Sequence, residues 1–376
     1  MDVMTSPLYF DHNATTPLLP EVVDAMLPYL TTHFGNPSSA HAFGREAKKA
    51  VDQARASVAD LVGATADEVI FTSSGTEASA LALRGTLTSP LNEAHVITTT
   101  VEHPATARTV DALQADGVKV TRLGVDEDGL ISPDALTAAL TPSTRWFSLI
   151  HAHNETGVLQ PLSAFSKITS KHGVLFHADA AQSAGKVPLS MKEDGFDLLT
   201  LVAHKLYGPK GVGALVVKKG VALKSVQLGA GQESGRRAGT ENVASIVGFG
   251  AACVAAKRDL TEISARMISL RDRMINALRA GVPGLVIAGE KTARLPNTLY
   301  ALFPNVSAAQ LLAKTPGVAA STGSACHDGH ETPPQVLLEM KVPAALALGA
   351  VRLSLGRHTT SADVDSAAAQ LISALR

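Results

Sequence analysis

The sequence predicts an α/β protein: a large, mostly parallel seven-stranded sheet domain followed by a smaller α+β domain. Three observations carry this. Apolar runs of strand length alternate with helix-period segments from residue 69 to residue 217, the pattern of parallel strands joined by crossover helices. A mostly helical stretch, residues 240–280, comes next. Beyond it strands and helices mix without strict alternation. The expected division is a large domain of residues 15–257, with residues 1–14 and 258–376 forming the small one.

In order, residues 8–17 (LYFDHNATTP) open with a short extended segment and a polar turn, residues 21–30 read as a helix, and residues 33–44 form a loop punctuated by glycine and proline. Residues 45–62 place Ala47, Ala50, Val51, Ala54, Val58, Leu61 and Val62 three and four apart, which predicts an amphipathic helix. Strands are expected at 69–72, 95–100, 118–123, 145–152, 174–176, 198–202 and 212–217. Helices are expected after Ser73, Pro104 and Pro133 and over 162–172. In the last third, 295–303, 318–321 and 351–355 read as strands and helices begin near Ser307 and Pro333. A final helix starts at Ser361, with Thr360 and Asp363 placed as a cap pair.

The composition is that of an ordinary globular protein, 45% hydrophobic and 18% charged. A net charge of −1 gives no electrostatic reason to expect nucleic acid or an anionic membrane as partner. No apolar run is long enough to span a bilayer, and MDVMTSPLYF lacks the basic and apolar regions of a secretory signal. Two cysteines make no disulfide framework and suit a reducing cytoplasm. Cys253, in GFGAACVAA, reads as packing; Cys326, among Ser, Gly and His, lies in a loop where a thiol is reachable.

The chemistry gathers at two predicted strand ends, FHADAAQ and VAHK. Carboxyl ends of strands line the ligand crevice of an open α/β sheet, so Asp179 and Lys205 should face one pocket. An acid and an amine together suit pyridoxal phosphate (PLP): the lysine forms the Schiff base and the acid keeps the pyridine nitrogen protonated. The alternative is a buried ion pair, a poor stability device. A second site is SSGTE, a small-residue turn entering a helix, which suits a phosphate or, alternatively, is an ordinary N-cap with an acid in its first turn.

Taken together, DHNATTP, SSGTEAS, EHPA, HNETG, HADAAQSAGK, HKLYGPKGVGAL, GRRAGTEN, STGSAC and RLSLGR resemble, in order and over nearly the whole chain, the cysteine desulfurase branch of the class V aminotransferases, which are fold-type I PLP enzymes. The resemblance implies roles. Lys205 is the Schiff-base lysine and Asp179 the partner of the pyridine nitrogen. Gln182 donates to the phenolic oxygen, and His103 stacks on the ring and handles protons. Gly75, Thr76 and His204 hold the phosphate, with Thr240 reaching it from the second subunit of a homodimer. Asn13, Asn154 and Arg352 bind substrate, Arg352 through a two-pronged contact with its carboxylate.

Cys326 is implied as the nucleophile that takes sulfur from L-cysteine and leaves alanine and a persulfide, with His327 beside it lowering its pKa. Cys326, His327, His330 and Glu331 also read as metal ligands, but no second ligand group accompanies them, so no metal is expected. A sulfur-acceptor protein would be the onward partner. Two departures stand out. Val202 occupies a position where many of these enzymes carry a serine, as it does in selenocysteine lyases, whose Cys-His loop is also similar. His153 stands where asparagine is common. Selenocysteine lyase is therefore the second expectation.

Overall fold

The computed structural model describes residues 6–87, 90–323, 325–327 and 330–376, with only the backbone of 325–327 and 330. The chain enters through β1 (Leu8–Tyr9), α1 (Pro20–Thr31) and α2 (Ala42–Leu61). The sheet strands then alternate with helices: β2 (Val69–Thr72), α3 (Gly75–Thr86), β3 (His95–Thr99), α4 (Pro104–Ala115), β4 (Lys119–Leu123), α5 (Pro133–Ala139), β5 (Thr144–Ile150), α6 (Leu162–Lys171), β6 (Leu175–Asp179), α7 (Met191–Asp194), β7 (Leu198–Val202) and β8 (Gly213–Val217).

These seven strands form one sheet in the order β2-β8-β7-β6-β5-β3-β4. Every pairing is parallel except those of β8, which runs antiparallel to both β7 and β2. The connection from β7 to β8 carries no crossover helix, so the chain can only return in the opposite direction. Because β8 opposes both neighbours, β2 points the same way as β7. The carboxyl ends of β2, β3, β5, β6 and β7 therefore share one edge.

Central strands are buried on both faces, so they read as largely apolar runs without strict alternation, interrupted by Ser148, His177 and Thr200. One face packs Phe71, Phe147, Phe176 and Leu199 against α1, α2 and α6. The other packs Ile70, Val96, Trp146 and Leu215 under α3 and α4. Arg45, Glu46, Lys48, Lys49, Asp52 and Asp60 lie on the exposed side of α2, and Ala47, Ala50, Val51, Ala54 and Val58 form its buried stripe as predicted.

The 39-residue helix α8 (Val243–Gly281) leaves this body and enters the next. Its first half contributes Ile246, Phe249, Ala252, Cys253 and Ala256 to the large-sheet core. Its second half contributes Met267, Leu270, Met274, Ile275 and Leu278 to a separate core. The chain beyond α8 runs through β9 (Val286–Ile287), β10 (Thr298–Leu302), α9 (Ala308–Ala313), β11 (Val318–Ala319), β12 (Ser321–Thr322), β13 (Ala325–His327), β14 (His330–Thr332), α10 (Gln335–Glu339), α11 (Ala344–Ala347), β15 (Ala350–Ser354) and α12 (Ser361–Ser373), with α10 and α11 packing against Val101, Ile150, Tyr300 and Leu302 in a further, smaller cluster.

Strands β12, β15, β10 and β9 make an antiparallel sheet, and β1 pairs in parallel with β11, so the N-terminal segment packs on this second core. The expected strand at 318–321 is split: β11 serves one sheet and β12 the other. Helix α12 begins with the capping box read from Thr360 and Asp363. Where a loop was expected around Cys326, β13 and β14 pair as a hairpin, Cys326 opposite Glu331. No helix among the described residues is long and apolar enough to cross a membrane.

Candidate active site

The shared edge of the sheet holds a cavity of about 240 Å³. Five strand ends feed it. Asp179 terminates β6, and Val202 terminates β7 just before a single 3₁₀ turn, Ala203–Lys205. Strand β2 leads to Gly75 and Thr76 at the start of α3, β3 to His103 at the start of α4, and β5 to Asn154. Gly75, Thr76, His103, Asn154, Asp179, Gln182, His204 and Lys205 all line the cavity.

Asp179 is buried and its Oδ1 accepts from the Ala181 N–H at 2.9 Å. Behind it, buried His177 links Ser148 (2.8 Å) to Thr200 (3.0 Å), and Thr200 reaches Ser79 (3.1 Å). Burial pulls the His177 pKa down to about 4, so this network is neutral and props the strands rather than competing for the acid. Burial also lowers the Lys205 pKa, partly opposed by Asp179, with Arg352 adding to the drop. The lysine turn is pinned from the N-terminal segment. Thr16 Oγ1 donates to the His204 carbonyl (3.0 Å) and accepts from the Tyr207 N–H (2.8 Å).

His103 is the N-cap of α4, its Nδ1 accepting from the Ala105 N–H at 3.1 Å, so Nε2 is its free proton-carrying atom. Burial lowers its pKa, Asp179 opposes this, and Lys205 reinforces it. Ser74 Oγ caps α3 by accepting from the Glu77 N–H at 3.2 Å. The acid of that first turn is directed away from the cavity, since Glu77 pairs with Arg237 Nε at 2.7 Å and accepts from Ser73 N at 2.7 Å. The helix mouth at Gly75 and Thr76 is thereby left positive. A Cβ on Gly75 would collide with Val202 Cγ1. Val202 fills the space a serine would leave at that point.

Three predicted residues stand apart from the cavity walls. Asn13 is buried behind them: its Nδ2 donates to Thr298 Oγ1 (2.9 Å) and the Asn154 carbonyl (3.3 Å), and its Oδ1 accepts from Lys186 (3.0 Å) and Asn297 (3.1 Å). Arg352 lies on β15, buried. Its Nη1 donates to the Asn154 carbonyl (3.1 Å), its Nη2 pairs with Asp11 (2.7 Å) and donates to Ser321 (3.0 Å), and its Nε has no partner among the described residues. Thr240 is exposed, on a separate cleft of about 140 Å³ with Glu233 and Arg237. The Cys326 side chain, with those of His327 and His330, lies outside the described residues.

His153 is accounted for locally. Its Nδ1 accepts from the N–H groups of Glu155 and Thr156, both at 3.3 Å, the job an asparagine side chain does in a turn. Burial drives its pKa down to about 3. Sequence reasoning missed two titratable groups in desolvated settings. Glu102, next to His103, has its pKa raised by burial to about 8. Lys186 sits one helical turn past Gln182, and that spacing was the one available signal.

The profile of the family described as "Aminotransferase class-V" matches residues 8–366. The chain belongs to the class V aminotransferases. Within the family it is 42% identical to the cysteine desulfurase of Trichormus azollae over 362 residues, 96% of this chain and 90% of that one. It is 41% identical to the cysteine desulfurase IscS of Dictyoglomus turgidum over 365 residues, 96% of this chain and 93% of that protein. Among solved structures it is similar to a NifS-like protein, with a TM-score of 0.90 at 34% identity, covering 98% of this chain and 99% of that one. The large, mostly parallel seven-stranded sheet is the fold-type I architecture expected of the family.

Proposed function

We infer that this chain is a cysteine desulfurase, removing sulfur from L-cysteine to leave L-alanine and a persulfide on Cys326. The observation that carries the reading is the cavity that joins Lys205, Asp179 and His103 to the open mouth of α3. The names of the relatives favour this over selenocysteine lyase.

The residues fit pyridoxal phosphate. Lys205 is the amine to hold its aldehyde, Asp179 the acid for its ring nitrogen, Gln182 a donor for its phenolic oxygen, and Gly75, Thr76 and His204 the phosphate cradle. When bound, the cofactor supplies an electron sink next to the substrate's amino carbon. Burial favours the uncharged Lys205 amine, the form able to bond a carbonyl. His103 Nε2 is the atom to exchange a proton there. Arg352 and Asn154 would orient the substrate carboxylate, which replaces Asp11 as the partner of Arg352. Cys326 takes the sulfur: an S–S bond forms as the C–S bond breaks, and the carbon keeps the electron pair and gains a proton to leave as alanine.

A homodimer, with Thr240 reaching the phosphate of the partner site, is supported by Thr240 lying exposed and away from its own chain's cavity. The division into residues 15–257 and residues 1–14 with 258–376 is supported by the two cores that α8 joins, with a smaller cluster of Val101, Ile150, Tyr300, Leu302 and Val336 where the two parts meet. A sulfur-acceptor protein in a reducing cytoplasm completes the proposal. The test is alanine and sulfide release from cysteine by wild type and Cys326→Ala. Loss of both in the variant is expected; unchanged alanine release would remove Cys326 from the reaction.

A further inference from the structure

We propose that Lys186 is a positioning residue that sets the orientation of the Gln182 side-chain amide, holding its carbonyl toward the protein so that an N–H is presented to the cavity. This rests on the reading of that cavity as a pyridoxal phosphate site. Lys186 Nζ lies 3.1 Å from Gln182 Oε1 and 3.0 Å from Asn13 Oδ1. Both contacts are acceptors, so the amine donates twice. Gln182 Nε2 donates to the main-chain carbonyl of Asn13 at 2.9 Å. An amide nitrogen carries two hydrogens, which leaves one for the cavity that Gln182 lines.

No carboxylate accompanies the Lys186 amine in these contacts. Burial, with Lys205 and Arg352 nearby, holds its pKa well below the ordinary lysine value. A group so placed gives little as an ion pair; its contacts instead fix which end of a neighbouring amide faces which way. Without it, Oε1 becomes a buried acceptor with no donor, and the amide turns to satisfy that oxygen at the expense of the N–H offered to the cavity.

A donor on the phenolic oxygen of the bound cofactor stabilises negative charge there and lowers the proton affinity of the adjacent nitrogen. The pH midpoint of the visible absorption band of the PLP-loaded protein therefore reads the amide's orientation. Lys186→Met should raise that midpoint by about one pH unit, in the same direction as Gln182→Met, and add nothing in the double variant. Lys186→Gln, which keeps a donor, should return the midpoint toward wild type, and its thermal melt controls for folding. A Lys186→Met midpoint equal to wild type, with Gln182→Met shifted, overturns the positioning role and leaves the cofactor reading standing. A Lys205→Ala protein whose band and midpoint equal those of wild type removes the cofactor reading itself, and this inference with it.

Discussion

Replacing Glu102 by Gln isolates the energetics of one buried carboxyl. Glu102 lies between β3 and α4, where Oε1 accepts from Thr99 Oγ1 (2.7 Å) and the Ile150 N–H (2.9 Å) while Oε2 has no partner among the described residues. Burial raises its pKa from 4.5 to about 8, against the pull of those two hydrogen bonds and with a further push from Asp179. Between these values the folded protein keeps a proton that the unfolded chain has released. The stabilisation is therefore complete below the unfolded pKa and is lost as pH climbs through the folded one. At roughly 1.36 kcal/mol per unit, the loss from about pH 5 to about pH 8 comes to ~3.5 kcal/mol.

For 376 residues, an unfolding entropy of roughly 2.1 cal/mol/K per residue gives ~0.8 kcal/mol/K, so the loss corresponds to about 4 °C in Tm. Gln cannot release a proton, and other titrating groups are common to both proteins. Scanning calorimetry on the cofactor-free proteins should show Glu102→Gln at or below wild type near pH 5, because its new N–H groups face the unpartnered side. By about pH 8 the difference should have moved some 4 °C in its favour. A Tm difference that is the same at both pH values would refute a carboxyl buried in its protonated form.

Two further outcomes follow from the cavity walls. Gly75→Ala should cost about 1–3 kcal/mol through its collision with Val202, and Val202→Ala in the same chain should recover most of the lost Tm; no recovery would mean the strain lies elsewhere. Arg352→Lys loses the planar fork and should lower kcat/KM for cysteine by roughly tenfold to a hundredfold, mostly through KM, with the visible band of the PLP-loaded protein unchanged. A fall in kcat alone would place Arg352 outside carboxylate binding.

Much of the site was legible because its strands are apolar runs that end abruptly in a polar residue, as at Asp179 and just past Val202. Strand direction is not written in such runs, since Gly213–Val217 reads alike either way. The short, helix-free link from β7 was the clue to its reversal. The β13–β14 hairpin was hidden by polar residues with little strand propensity. Glu102 and Lys186 sit in polar motifs with nothing local to mark them, and tertiary packing places both in a desolvated setting. Asp11 was equally invisible as the carboxylate that holds Arg352, because Asp11, just past β1, bridges to Ser354 of β15 across most of the chain's length.

Helix α8 bears on how the catalytic cleft can move. A hinge needs a few residues free to change backbone angles, and the stretch between the two anchored halves of this rod is continuous α-helix without proline. At 1.5 Å per residue it is roughly 58 Å long, and swinging one core against the other would have to bend it. Any change in the spacing between Lys205 and Arg352 made by moving the second core would thus have to be taken up by bending this rod.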